Sequence, residues 1–203
     1  MTAVKICGIT CMEDVEILNK YRPDYAGFVL YEPSKRYVSL AQAIALKQAL
    51  EADIHTVAVT VNPDDALIQE IVQAGFDTIQ IHKCEHMERI QSIPISVWMA
   101  FQVSEARGFA LPDLPDNVTG ILLDAAGYGS GQSFDWQSFP KDLLAQCRTR
   151  KFILAGGLTA KNVKAGIQLF APDIVDVSSS VEGETGKDAK KTELFIRKVR
   201  EDE

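Results

Sequence analysis

Cys7 and Asp124 are the two residues of this chain whose surroundings are best suited to chemistry. Cys7 ends the short apolar run Val4-Lys5-Ile6-Cys7-Gly8, and Asp124 ends Gly120-Ile121-Leu122-Leu123-Asp124-Ala125. Each run reads as a buried strand with one reactive side chain at its C-terminal end, followed directly by loop sequence. In a parallel α/β protein the C-terminal strand ends line a common pocket, and catalytic groups sit there. A thiolate base and a carboxylic acid facing one small molecule would form an acid/base pair. A lone strand cysteine is more often a small buried apolar residue. Its place at a strand end, matched by a carboxylate in the same position of another strand, favours the functional reading.

The elements that must position this pair alternate along the chain. After the first strand, an amphipathic segment over 11–21 carries Val15, Ile17 and Leu18 on one helical face, and 25–30 reads as the next strand. A polar loop with Pro33, Ser34, Lys35 and Arg36 leads to Ser39, which can cap a helix over 40–50. Strands follow at 55–61, 78–82, 96–101, 121–124, 152–155 and 174–177. Between them, Asn62-Pro63 predicts a helix through Ala74 with proline in its first turn, closed by Gly75. Further helices are predicted at 85–93, around Leu143, at 160–170 and at 190–200. The segment 104–117, with a glycine and two prolines, leaves room only for a shortened helix.

About eight strand–helix units in 203 residues match the closure of a compact (βα)8 TIM barrel. Strands apolar on both faces suit a sheet buried between a barrel core and a ring of helices. An open doubly wound sheet would need a glycine-rich phosphate turn after the first strand, which Cys7-Gly8-Ile9-Thr10 does not supply. With no linker, repeat or low-complexity tract, residues 1–203 read as one barrel domain.

Composition narrows the function. A net charge of -7 argues against a nucleic-acid-coating surface. No apolar stretch approaches the ~20 residues that span a bilayer, and Met1 runs into a strand pattern rather than a secretory leader. Four cysteines (Cys7, Cys11, Cys84, Cys147) suit a reducing compartment, so a cytoplasmic location is expected. His82, Cys84 and His86 alternate, but the sequence from Glu85 reads as helical and lacks a matched ligand set, so no metal is expected. His82 is a candidate for the pocket wall, and Trp98 and Phe101 read as core. Asp176 is placed at the edge of the site, and Lys35 and Lys187 read as solvated surface.

The ligand is suggested near the C-terminus. Leu154-Ala155-Gly156-Gly157-Leu158-Thr159 ends one strand in a diglycine, and Asp176-Val177-Ser178-Ser179-Ser180-Val181-Glu182 ends the last in serines. Loops after strands seven and eight commonly hold phosphate in such barrels through backbone N–H groups. Glycine allows close approach of the backbone, and serine hydroxyls add donors. Either motif alone reads as a turn or a cap. In successive units, Gly156, Gly157, Ser178, Ser179 and Ser180 point to a phosphorylated small molecule.

With these residues in hand, the chain resembles the phosphoribosylanthranilate isomerase family of tryptophan biosynthesis. The resemblance spans nearly the whole chain in order: Lys5 to Thr10, Gly27-Phe28-Val29, Ser34 to Val38, Gln80-Ile81-His82 and Leu122 to Ala125. It continues through Gly129-Ser130-Gly131, Phe134-Asp135-Trp136, Leu154 to Leu158, Val175 to Ser179, Val181-Glu182 and Gly186-Lys187. It implies a cofactor-independent Amadori rearrangement of N-(5-phosphoribosyl)anthranilate, carried out by a monomer or homodimer. Cys7 matches the family's general base at C2 of the opened sugar, and Asp124 its general acid at the ring oxygen. Arg36 matches an arginine that holds the anthranilate end. Gln80, His82 and Asp176 would line the substrate, with the glycine and serine loops around phosphate. Ring opening then requires an Asp124 held protonated by burial, and a Cys7 activated beyond an ordinary thiol of pKa about 8.5.

Three residues depart from the family pattern. Ser180 stands where glycine is usual, so a left-handed backbone there would strain it and weaken phosphate binding. Lys83 replaces a glycine and Thr60 a phenylalanine, both expected near the pocket mouth. Another phosphosugar isomerase or epimerase of the same fold, or a non-catalytic phosphosugar-binding barrel, stays open at this point. A histidine-pathway relative would be expected to carry paired aspartates where Cys7 and Phe101 stand.

Overall fold

The computed structural model describes residues 1–102, 111–124 and 141–201. The expectations for 104–110, for 129–131 and for 134–136 lie outside the described residues. Eight parallel strands close into a barrel in sequence order. They are β1 (Ala3–Cys7), β2 (Tyr25–Val29), β3 (His55–Val61), β4 (Thr78–His82), β5 (Ser96–Gln102), β6 (Val118–Asp124), β7 (Lys151–Ala155) and β8 (Ile174–Val177). β1 pairs with both β2 and β8, which seals the ring. Helices α1 (Met12–Tyr21), α2 (Leu40–Gln48), α3 (Asp65–Gln73), α4 (Lys141–Cys147), α5 (Val163–Phe170) and α6 (Ala189–Arg200) lie between the strands or follow them.

Two apolar clusters lie on opposite sides of the barrel wall, because successive strand side chains point to opposite faces. Val4, Ile6, Ala58, Ile121 and Leu123 face outward into the helix layer. Val57, Val59, Trp98, Leu122 and Ile153 fill the interior, with Cys7 and Tyr25 against them. Trp98 is buried, as its sequence context predicts, and meets Tyr25 edge-on at 5.0 Å between ring centroids. At the opposite end from the site, Asp24, Asp77 and Asp173 stand just before β2, β4 and β8. Their carboxylates accept N–H groups of Val4, Thr56 and Phe152 at 2.7–2.8 Å, pinning the register of neighbouring strands.

Two elements differ from the sequence reading. The 85–93 segment is a 3-10 helix, Met87–Ser92, rather than an α-helix. It buries Ile90 and, just beyond, Ile93, and the Asn117 side chain donates to both of their carbonyls. Such a side chain satisfies carbonyls that a short helix cannot pair internally. Helix α3 begins after Asp64, whose carboxylate accepts from Leu67 N at 2.8 Å. That cap leaves Pro63 outside the first turn, because an aspartate at the cap satisfies a helix donor that proline cannot. Ser39 caps α2 as read, in a reciprocal capping box with Gln42.

Candidate active site

A cavity of about 560 Å³ opens at the C-terminal ends of the strands, and both Cys7 and Asp124 line it. Its size suits a small-molecule ligand. Arg36, Gln80, His82, Asp176, Gly156, Gly157, Ser178 and Ser179 line the same cavity. Seven of the eight strands contribute to its wall, through residues far apart in the chain. Val29, Val59 and Leu122 supply an apolar surface among these polar groups.

Beneath Cys7 lies a buried ion pair that the sequence reading missed. Register places Lys5 beside Asp176 across β1 and β8, with both side chains facing inward, and Lys5 Nζ meets Asp176 Oδ2 at 2.9 Å. Lys5 is fully buried, and Asp176 is nearly so. Asp176 thus belongs to the floor of the site rather than its edge. Its other oxygen, Oδ1, is buried without a hydrogen-bond partner among the described residues. A single lysine in an otherwise apolar strand was the available sequence signal for this pair.

Burial pushes the Cys7 thiol up, with Lys5 opposing, Asp176 adding and Lys187 opposing. The resting sulfur is therefore a thiol at neutral pH. For Lys5, burial would favour the neutral amine, but the nearby Asp176 and Cys7 outweigh it and the lysine stays cationic. Burial raises Asp176 against the pull of Lys5. Burial and then Lys5 lower His82 to about 4, so its ring is neutral. Gln80 Nε2 and His82 Nε2 are 2.8 Å apart, a geometry in which the amide donates to an unprotonated ring nitrogen. Gln80 Oε1 is likewise buried without a partner among the described residues. The neighbouring His86 instead pairs with Glu88 at 3.2 Å on the surface.

At the rim, Arg36 lines the cavity with its guanidinium already engaged. Its Nε binds Glu182 Oε1, and a terminal nitrogen reaches Oε2 at 3.2 Å. Lys35 and Lys187 also approach Glu182, each at 3.3 Å. Burial works against this carboxylate's charge, but the hydrogen bond from Arg36 and the surrounding cations hold its pKa at about 2. Lys35 is exposed, as read from sequence. Lys187 is not: its side chain is buried and sits within 3.4 Å of the Ser178 carbonyl and hydroxyl. Asp14, also missed, is buried in α1 and accepts from Thr10 at 2.8 Å and from Lys187 N. It ties the loop after β1 to the loop that carries Lys187. No sequence motif marks Glu182 and Lys187 as a pair, since charged loop residues are usually solvated.

The two C-terminal loops converge, but their hydroxyls are not all available. Gly156 and Gly157 take φ values of 88° and 64°, a left-handed path that glycine adopts without steric cost. Ser178 Oγ donates to the Cys7 carbonyl at 2.7 Å, and Ser180 Oγ to the Leu158 carbonyl at 2.6 Å. Ser180, read from sequence as a phosphate ligand, does not itself line the cavity. It is not in the left-handed region either, so serine carries no backbone strain there. Its hydroxyl instead fastens the loop after β8 to the loop after β7. Thr60 and Lys83 are likewise absent from the cavity wall. Thr60 is buried, with its hydroxyl bonded to the Gln80 carbonyl at 3.1 Å. Lys83 has φ 51°, so this departure does fall at a left-handed position.

A closed parallel barrel with a thiol, a carboxyl and two convergent glycine/serine loops around one cavity defines a class: barrel enzymes that move protons on small phosphorylated molecules. The family model described as N-(5'phosphoribosyl)anthranilate (PRA) isomerase matches residues 4–198. The N-(5'-phosphoribosyl)anthranilate isomerase of Streptococcus gordonii is 41% identical over 202 residues, covering 99% of each chain. The structure of phosphoribosyl anthranilate isomerase from Thermus thermophilus is similar with a TM-score of 0.85 at 28% identity, covering 100% of both chains. A phosphoribosyl anthranilate isomerase in complex with reduced 1-(o-carboxyphenylamino)-1-deoxyribulose 5-phosphate is similar at a TM-score of 0.79 and 31% identity. That likeness covers 99% of this chain and 100% of the other. The chain belongs to the N-(5'-phosphoribosyl)anthranilate isomerase family and is an enzyme of the isomerase class.

Proposed function

We propose that the chain carries out the Amadori rearrangement of N-(5-phosphoribosyl)anthranilate to 1-(2-carboxyphenylamino)-1-deoxyribulose 5-phosphate in tryptophan biosynthesis. In this reading Cys7 is the general base and Asp124 the general acid of a single catalytic barrel domain. The observation that carries it is that the two groups share one cavity with the glycine and serine loops of the anion-binding end.

The chemistry is a net isomerisation. Asp124 gives its proton to the ribose ring oxygen as the C1–O bond breaks, and the anthranilate nitrogen becomes part of an iminium. That cation acidifies the C2 proton, so a moderately basic sulfur suffices to remove it. The resulting enolamine ketonises by gaining a proton at C1 and losing one from the C2 hydroxyl, so no atoms or electrons are exchanged with a cofactor. Asp176 Oδ1 and Gln80 Oε1, unpaired among the described residues, are suited to accept hydrogen bonds from ribose hydroxyls. Backbone N–H groups of the two loops would take the phosphate.

The Arg36 fork is suited to the anthranilate carboxylate. Because Glu182 occupies that fork here, substrate must share it or displace the glutamate. Every group invoked comes from one copy of the chain, which suits a monomer or a homodimer equally. Among the described residues, no helix is long and apolar enough to cross a membrane.

Consumption of the substrate can be followed through the fluorescence of its anthranilate ring. Cys7→Ser and Asp124→Asn should each lower kcat by about 10²–10⁴-fold while melting as cooperatively as the parent. A variant that keeps the parent rate would exclude that residue from proton transfer.

A further inference from the structure

A thiol pushed upward by burial is a poor base, so something near Cys7 must favour the thiolate when chemistry requires it. The nearest candidate is Lys5, two residues earlier on the same strand and on the same inward face. It is a fully buried ammonium, and its Nζ is anchored to Asp176 Oδ2 at 2.9 Å. An ammonium has three protons to donate, so this contact leaves donors for other neighbours. Gly27 stands directly opposite Cys7 in the β1–β2 register. A methyl built on Gly27 would lie 2.9 Å from Cys7 Sγ and 3.2 Å from Lys5 Nζ. Sulfur and ammonium therefore flank one small space, which the missing side chain keeps open. As a plain stability device the pair is hard to rationalise, since buried ion pairs rarely outperform apolar packing.

We propose that Lys5 is a positioning residue for the reaction: its ammonium, anchored by Asp176, pairs with the Cys7 thiolate and holds the sulfur toward the substrate. This inference rests on the reading of Cys7 as the base. The charged groups around the sulfur are Lys5 from its own strand, Asp176 from β8 and Lys187 from the loop before α6. Asp176 opposes the thiolate, and Lys187 is already engaged by Glu182 and Ser178. His82, which faces Lys5, is neutral. Lys5 keeps its protons throughout. The resting thiol is in equilibrium with a minor thiolate form that has given its proton to water, and that thiolate takes the C2 proton.

The test is Lys5→Met, with iodoacetamide alkylation followed across pH at the Cys7 peptide by mass spectrometry, alongside the pH profile of kcat/KM. An opposite charge in contact shifts such a group by 1–3 pH units. Alkylation of Cys7 at pH 7 should therefore slow at least about tenfold, and the limb of kcat/KM set by Cys7 ionisation should move to higher pH by the same amount. Lys5→Met leaves Asp176 buried without its cation, so Lys5→Met/Asp176→Asn, which removes both charges, guards against loss of the fold. Its Cys7 alkylation should also slow, because the lysine outweighs the aspartate at the sulfur. An unmoved alkylation profile in either folded variant would overturn the role of Lys5 while leaving Cys7 as base. A displaced alkylation profile with an unmoved kcat/KM limb would overturn Cys7 as base, and the inference with it.

Discussion

Gly27→Ala tests how tightly the barrel holds the sulfur. Gly27 does not have a left-handed backbone, so alanine costs nothing there through φ. The whole effect is steric. The new methyl would stand 2.9 Å from Cys7 Sγ, 3.2 Å from Cys7 Cα and 3.2 Å from Lys5 Nζ. Relaxed contacts need roughly 3.5–4 Å, so sulfur and methyl must separate by about 0.5–1 Å. The Cα belongs to the barrel wall, and Lys5 is tethered to Asp176, so the sulfur must take most of that movement. Overpacking of this kind costs about 1–3 kcal/mol, or a melting point lower by about 2–12 °C for a chain of this length. A displacement near 1 Å of a reacting group can cost about 10²-fold in rate.

The assay is kcat and KM from substrate fluorescence, with a thermal melt by circular dichroism. Gly120→Ala serves as the comparison. Its methyl would press on Trp98 Cδ1 at 2.5 Å, away from the Cys7 sulfur. It should lose similar stability but retain most of its kcat. If Gly27→Ala keeps the parent kcat, the sulfur is not confined where the barrel register puts it, and the reasoning fails.

Three further outcomes follow from the rim and loops. Glu182 has a folded-state pKa of about 2 against an ordinary 4.5, so its stabilisation is complete above about pH 4.5 and disappears as pH falls toward 2. Denaturant titrations should show the parent losing its stability advantage over Glu182→Gln across that window, and a constant difference would refute it. Ser180→Gly should lower the melting point by about 2–4 °C, through loss of roughly 1 kcal/mol from the bond to the Leu158 carbonyl, without lowering KM. A markedly smaller KM would restore Ser180 to the phosphate site. Lys83→Gly should relieve a left-handed backbone and raise the melting point by a few degrees, about 1 kcal/mol. A lower melting point would mean that the lysine side chain outweighs its backbone cost.

Much of the fold could be read from the chain because its signals are local. Apolar runs of strand length alternate with amphipathic segments, and the eight strands lie close to where that alternation places them. Ser39 announces its helix through an adjacent side-chain bond. The 3-10 helix Met87–Ser92 is not marked in its own residues, since Asn117, which binds the carbonyls of Ile90 and Ile93, lies well beyond it in sequence. Helix α3 starts later than its proline suggests, because the Asp64 carboxylate makes the capping bond and leaves Pro63 ahead of it.

The sequence alone determined which residue types stand at strand ends: Cys7, Asp124, the diglycine and the serine run. Their convergence on one cavity, and their surroundings, were decided only by tertiary structure. Lys5 faces Asp176 because β1 and β8 are first and last in the chain yet adjacent in the barrel. Lys187, a surface lysine by composition, is buried because Asp14, Ser178 and Glu182 gather around it from distant segments. Ser180 looks like an anion ligand in a row of three serines, but folding turns its hydroxyl onto a neighbouring loop. Periodicity encodes which way a side chain points from its own strand or helix. It carries no record of the charges that closure of the ring brings alongside, and those charges set the chemistry of the sulfur.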